Sequence, residues 1–190
     1  MNANHALEKL MAGNQRYVAG QLVHHHQSSK RIRAIATGQH PFAIILGCAD
    51  SRVPPEIIFD QGLGDLFVIR VAGNILDDAI LGSIEYAVKE LGTSLVLVLG
   101  HERCGAVAAT VKHAEVLGHI SILLNAIQPA VDRVKHEPGD LLDNAVRANI
   151  KLVVEQLKSS LPVAELIQQN RVKIVGAQYN LDRGAVEMIT

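Results

Sequence analysis

The chain contains no tryptophan, and aromatic residues fill only 3% of its 190 positions. Few side chains are left to stack on single-stranded bases, and the core has to be assembled from Ala, Val, Ile and Leu. An excess of one charge is also missing, because 18 Lys and Arg face 19 Asp and Glu for a net charge of −1. No positive field gathers nucleic acid or anionic lipid, so neither is an expected partner. The longest apolar runs, Phe42–Leu46 and Leu95–Leu99, fall far short of the ~20 residues that cross a bilayer. The opening Met1-Asn2-Ala3-Asn4-His5 lacks the basic-then-apolar order of a secretion signal, and a cytoplasmic location is expected. Cysteine is reduced to two, Cys48 and Cys104. With a large core and no secretion signal, a metal or catalytic role suits them better than a disulfide.

With 48% apolar and 19% charged residues, the chain is no disordered polymer, and its length fits one domain over residues 1–190. Asn4 to Val18 reads as a helix, with Leu7, Leu10, Met11 and Val18 at helical spacing. A polar stretch from Gly20 to Ser29 holds His24-His25-His26. Neighbours in sequence cannot all point at one ion from regular structure, so a solvated loop is expected there. A short, wholly apolar run at Phe42–Leu46 is followed by similar ones at Leu66–Ile69 and, after Ser94, Leu95–Leu99, and a late strand reads at Val172-Lys173-Ile174-Val175. Such runs suit strands of a parallel sheet covered on both faces. Helical patterns fall between and after them, at 54–59, 77–91, 105–117, 119–136 and 140–158. Asp77 can cap the second of these and Gly92 can end it. The alternation predicts a doubly wound α/β fold, a mainly parallel sheet flanked by helices. Residues 1–35 would form an N-terminal helical arm and 36–190 the α/β core.

Metal-type residues fall at equivalent places in this rhythm. Cys48 stands two residues past the first apolar run and His101 two past the third, with Cys104 three residues further on. Ligands of open parallel sheets bind beyond the carboxyl ends of the strands, where the winding reverses. If these strands are neighbours, the three residues meet there. Two thiolates and an imidazole suit Zn²⁺, and three protein ligands leave the open corner of a catalytic site. A single Cys beside a strand is more often a small core hydrophobe, but the joint placement argues otherwise. Asp50 and Arg52 lie within four residues of Cys48. Such a pair can merely tie a loop down; beside an open metal corner it can also accept a hydrogen from a bound hydroxide.

Cys48-Ala49-Asp50-Ser51-Arg52 resembles the Cys-x-Asp-Ser-Arg signature of the β-class carbonic anhydrases, and His101-Glu102-Arg103-Cys104-Gly105 resembles their His-x-x-Cys-Gly signature. The similarity runs on through Gly62–Asn74 and Gly82–Val88, and more weakly through Gly13–Val18 and Gly176–Gly184. This resemblance implies the reaction CO₂ + H₂O ⇌ HCO₃⁻ + H⁺, with zinc held by Cys48, His101 and Cys104. It implies an Asp50–Arg52 dyad beside zinc-bound hydroxide as the nucleophile. Gln39 would hydrogen-bond the substrate, often across a subunit boundary, Phe67 and Tyr86 would wall its pocket, and Gly105 would lie beside the metal. A homodimer or homotetramer with sites at subunit boundaries is implied as well. One subtype binds zinc with the Asp at rest and carries a bicarbonate pocket built around a Trp. Arg70 and Tyr179 match members of that pocket, but Ile45 stands at the Trp position, so an open, water-bound zinc is expected. Three alternatives remain at this level: a zinc hydrolase of carbonyl sulfide or carbon disulfide, a non-catalytic zinc or bicarbonate-sensing domain, and a redox dithiol protein. His5, His40, His113, His119 and His136 are expected at the surface, and Arg16 and Arg31 in surface or interface contacts.

Overall fold

The apolar runs become β1 (Ala43–Gly47), β2 (Leu66–Arg70), β3 (Leu95–His101) and β4 (Lys173–Tyr179), joined by a short β5 (Val186–Met188). The computed structural model, which describes residues 1–190, orders them β2-β1-β3-β4-β5. The first four are parallel, and β5 closes one edge antiparallel to β4. β1 and β3 are buried along their whole length, which is why their sequences do not alternate. The helices are α1 (Ala3–Val18), α2 (Ser29–Ile35), α3 (Pro55–Ile58), α4 (Asp78–Lys89), α5 (Gly105–Val111), α6 (Ile120–Val134), α7 (Leu141–Ser159) and α8 (Leu161–Gln168). None is long and apolar enough to cross a membrane.

Successive strand residues point to opposite faces, and two hydrophobic clusters result. Ile44, Leu46, Val96 and Val98 pack with residues of α4 to α8 on one face. Ala43, Ile45, Leu95, Leu97 and Leu99 pack with Ala6 and Leu10 of α1 and Ile58 of α3 on the other. Helices cover both faces, as a doubly wound fold requires. Leu10 is fully buried; Leu7 and Met11 pack beside it, whereas Val18 at the helix end is half exposed. α7 lies unusually close to the sheet because Gly100 and Gly176 have no side chain. A Cβ at either position would stand 2.6 Å from an Ile150 carbon.

Several elements depart from the sequence expectation. α5 stops at Val111, six residues before Leu117, and His113 then takes φ 50° as the chain turns away. α2 and α8 start behind Ser28 and Ser160, and neither they nor β5 stood out as apolar periodicity. The histidine run is exposed but not simply solvated. His26 Nδ1 lies 2.7 Å from Oδ1 of Asp65, and Asp60 accepts from the backbone N–H groups of Val23 and His24. Arg16 Nε donates to Asp60 Oδ2 at 2.6 Å, and Arg31 Nε donates to the Leu63 carbonyl at 2.8 Å. The loop is strapped down because Asp60 and Asp65 are buried carboxylates that need donors.

Candidate metal centre

The strand order places the reversal of winding between β1 and β3. Gly47 pairs with Leu99, so the residues just beyond them share one sheet edge. Cys48 follows β1, His101 ends β3, and Cys104 stands at the residue that opens α5. One ligand atom from each lies within 4.8 Å of the other two. All three residues are buried, at 4%, 0% and 2% exposure.

The imidazole is already oriented for this role. His101 Nδ1 sits 2.8 Å from the Glu102 carbonyl; a carbonyl only accepts, so Nδ1 carries the hydrogen and Nε2 presents its lone pair. That Nε2 is buried and has no hydrogen-bond partner. A buried, unpaired nitrogen is costly, and a cation between it and the two sulfurs would satisfy it. The thiols carry no disulfide. A hydrogen bond from Cys104 pulls the Cys48 thiol down to about 4 against the opposing effect of burial. The same bond, together with burial, pushes Cys104 up. Ionising both buried thiols side by side is costly, and a divalent cation removes that penalty. The donor set and its geometry therefore fit zinc.

Asp50 and Arg52 meet at the mouth of this cluster. Arg52 Nε donates to Asp50 Oδ1 at 2.9 Å and Nη2 to Oδ2 at 2.8 Å, a bidentate pair. The guanidinium, followed by its own backbone N–H, holds the Asp50 carboxyl well below the usual carboxylate range despite partial burial. Asp50 Oδ2 lies 3.8 Å from His101 Nε2. Gly105 is the first residue of α5, and the space where its Cβ would project is open. Arg70 donates to the carbonyls of Cys48 and Asp50, and the Tyr179 hydroxyl lies 3.3 Å from that of Tyr17.

Gln39, Phe67 and Tyr86 are not gathered here. Phe67 pairs with Ile44 at the amino-terminal end of the sheet, four residues before Cys48 and thus about 13 Å along the strand. Its ring centroid is 6.5 Å from that of half-exposed Tyr86. Gln39 is exposed in the loop that enters β1 at the same end. The expected site is split between two ends of one chain. Sequence reasoning also passed over the Gly73 N–H, which donates to Cys48 Sγ at 3.3 Å. The Gly73-Asn74 pair was its one signal, since such pairs mark left-handed backbone.

Known proteins match this chain over nearly its whole length. The family model described as carbonic anhydrase matches residues 43–186. Carbonic anhydrase 2 of Mycobacterium tuberculosis is 41% identical over 184 residues, which cover 94% of this chain and 89% of that protein. The solved β-carbonic anhydrase CcaA superimposes with a TM-score of 0.76 at 28% identity, covering 96% and 94% of the two chains. The Coccomyxa β-carbonic anhydrase bound to acetazolamide gives a TM-score of 0.77 at 26% identity, covering 96% and 85%. Family model, relatives and fold agree over a range that holds both signatures, and the chain belongs to the β-class carbonic anhydrases, a family of lyases.

Proposed function

We propose that this chain binds Zn²⁺ through Cys48, His101 and Cys104 and hydrates CO₂ beside an Asp50–Arg52 dyad. The observation that carries this reading is the buried, partnerless His101 Nε2, 3.8 Å from an ion-paired Asp50, on an imidazole with a ring nitrogen within 4.8 Å of two thiols. Zinc, when bound, supplies the Lewis acidity that makes water a nucleophile near neutral pH. Asp50 would accept a hydrogen bond from that nucleophile at Oδ2 and thereby turn a lone pair toward CO₂. Arg52 keeps the carboxylate ionised and fixes its plane. CO₂ is small and apolar, so its pocket needs dry walls more than charges.

Those walls require a second copy. Gln39, Phe67 and Tyr86 lie one sheet length away from their own Cys48, so a neighbouring subunit has to bring its set to this metal centre. A homodimer is then the smallest complete enzyme, and a homotetramer would pair two of them.

Stopped-flow CO₂ hydration, with and without a chelator, tests the reading. Activity should track zinc content, and Asp50→Ala should lose about 10²-fold or more. Asp50 stays ionised from acid to alkaline pH, because its carboxyl is held below the ordinary range. The pH profile therefore belongs to the attacking water. Two thiolates would weaken a bound metal's pull on it, so activity should climb into the mildly alkaline range. A flat profile, or normal activity in Asp50→Ala, would contradict the mechanism.

A further inference from the structure

We propose that Asn149, in the middle of α7, is a positioning residue for the metal centre that acts on the Cys48 sulfur through Gly73. The inference rests on the reading of Cys48, His101 and Cys104 as zinc ligands.

Two buried thiolates need hydrogen-bond donors in place of water. Cys104 stands at the start of a helix, where the backbone N–H groups of Ala106 and Val107 face its sulfur. Cys48 follows a strand and has no helix end of its own. Its sulfur takes the Gly73 N–H at 3.3 Å, with the Asp50 N–H as a weaker second donor. Gly73 has φ 74°, in the left-handed region, and Asn74 after it has φ 41°. A Cβ on Gly73 would also stand 2.6 Å from Ile127 Cδ1. Glycine satisfies both conditions, but it is the residue least able to hold one conformation unaided.

Asn149 supplies the missing anchor. Its Nδ2 donates to the Gly73 carbonyl at 2.8 Å across 76 residues of sequence. With that carbonyl fixed, the N–H on the other side of the same residue stays aimed at the sulfur. Asn149 is 1% exposed, and its Oδ1 has no partner. A buried amide that uses only its donor costs stability, so packing does not explain it. The bond to Gly73 is what the side chain does there. The next residue, Ile150, seats α7 in the gaps left by Gly100 and Gly176, which sets the height from which Asn149 reaches down. The chain Ile150–Asn149–Gly73–Cys48 thus ties the helix layer to one metal ligand.

Cobalt substitution and zinc competition test this on the full chain. Asn149→Ala should bind zinc about 10- to 100-fold more weakly in competition with a chelator. It should also shift the thiolate-to-cobalt charge-transfer absorption, a signature of the sulfur whose stronger backbone donor is no longer held in place. Asn14→Ala, a buried asparagine of the other hydrophobic cluster, is the control: it should lose stability and leave the band unmoved. If Asn149→Ala does not fold, the wild-type chain loaded with an NMR-active cadmium isotope should show scalar coupling from the metal to the Gly73 amide proton. Wild-type affinity and an unshifted band in Asn149→Ala, or no coupling at Gly73, would overturn the proposal. A wild-type chain that takes up no metal would instead sink the ligand reading, and the two failures are thereby distinguished.

Discussion

Asp60 shows how one residue can couple local charge to global stability. Its side chain is 1% exposed and accepts from Arg16 Nε and from the backbone N–H groups of Val23 and His24. Burial alone would raise its carboxyl; the Arg16 guanidinium and the two amides outweigh this and hold it below the usual range. A depressed pKa means that the charged form favours the folded state, so the contribution is complete above the unfolded value of about 3.9 and fades as pH falls below it. Asp60→Asn should therefore cost about 2 kcal/mol at neutral pH, with a smaller gap from wild type below about pH 4. Urea denaturation of both proteins at about pH 7 and about pH 3 measures the two gaps. Loss of metal in acid affects both chains alike and drops out of the comparison. An undiminished gap in acid would show that Asp60 acts by shape and not by charge.

At the scale of elements, the same question concerns how α1 is held. Asn14 Nδ2 donates to the carbonyls of Ile58 and Gly184, and its Oδ1 accepts from Val186 N–H at 2.9 Å. One buried side chain thereby ties α1 to the end of α3 and to β5. Asn14→Ala strands two carbonyls and one N–H in the interior, and a loss of about 3 kcal/mol is expected. Amide hydrogen exchange should show the excess opening in α1 and β5 and not in α7. Uniform loss of protection would mean that the bracket is not local. Its partners also explain what the sequence made legible. β1 and β3 are buried on both faces, and apolar runs announced them. Cys48, His101 and Cys104 could be placed because each sits at a fixed offset from such a run. β5 is three residues long, with only Val186 buried, and is held by backbone pairing and a distant Asn14, neither of which leaves a periodic trace. α2 has no buried residue at all, so no apolar pattern could mark it. The Gly73 and Asn149 contacts were hidden for a related reason: they join positions far apart in sequence through the N–H and the carbonyl of one glycine.

The whole molecule carries a consequence that no single chain can express. Its Cys48–His101–Cys104 cluster lies at the carboxyl end of the sheet, while Phe67, Tyr86 and Gln39 lie at the amino-terminal end. If a second copy completes each centre, a metal-site defect and a pocket defect can be placed on different subunits. Cys48→Ser removes a proposed ligand and Gln39→Ala removes the proposed substrate contact; each homo-oligomer should be nearly inactive. In a mixed dimer, one centre combines both defects. The other combines an intact metal cluster with an intact pocket. Random pairing of equal amounts puts about half of the dimers in the mixed form, each with one good site of two. Co-refolded mixtures should thus recover about a quarter of wild-type CO₂ hydration. A chain that built its whole site from its own residues would show no gain over the average of the two parents. The recovery depends on which subunit supplies each group, so a gain above the parental average separates a shared centre from a self-contained one.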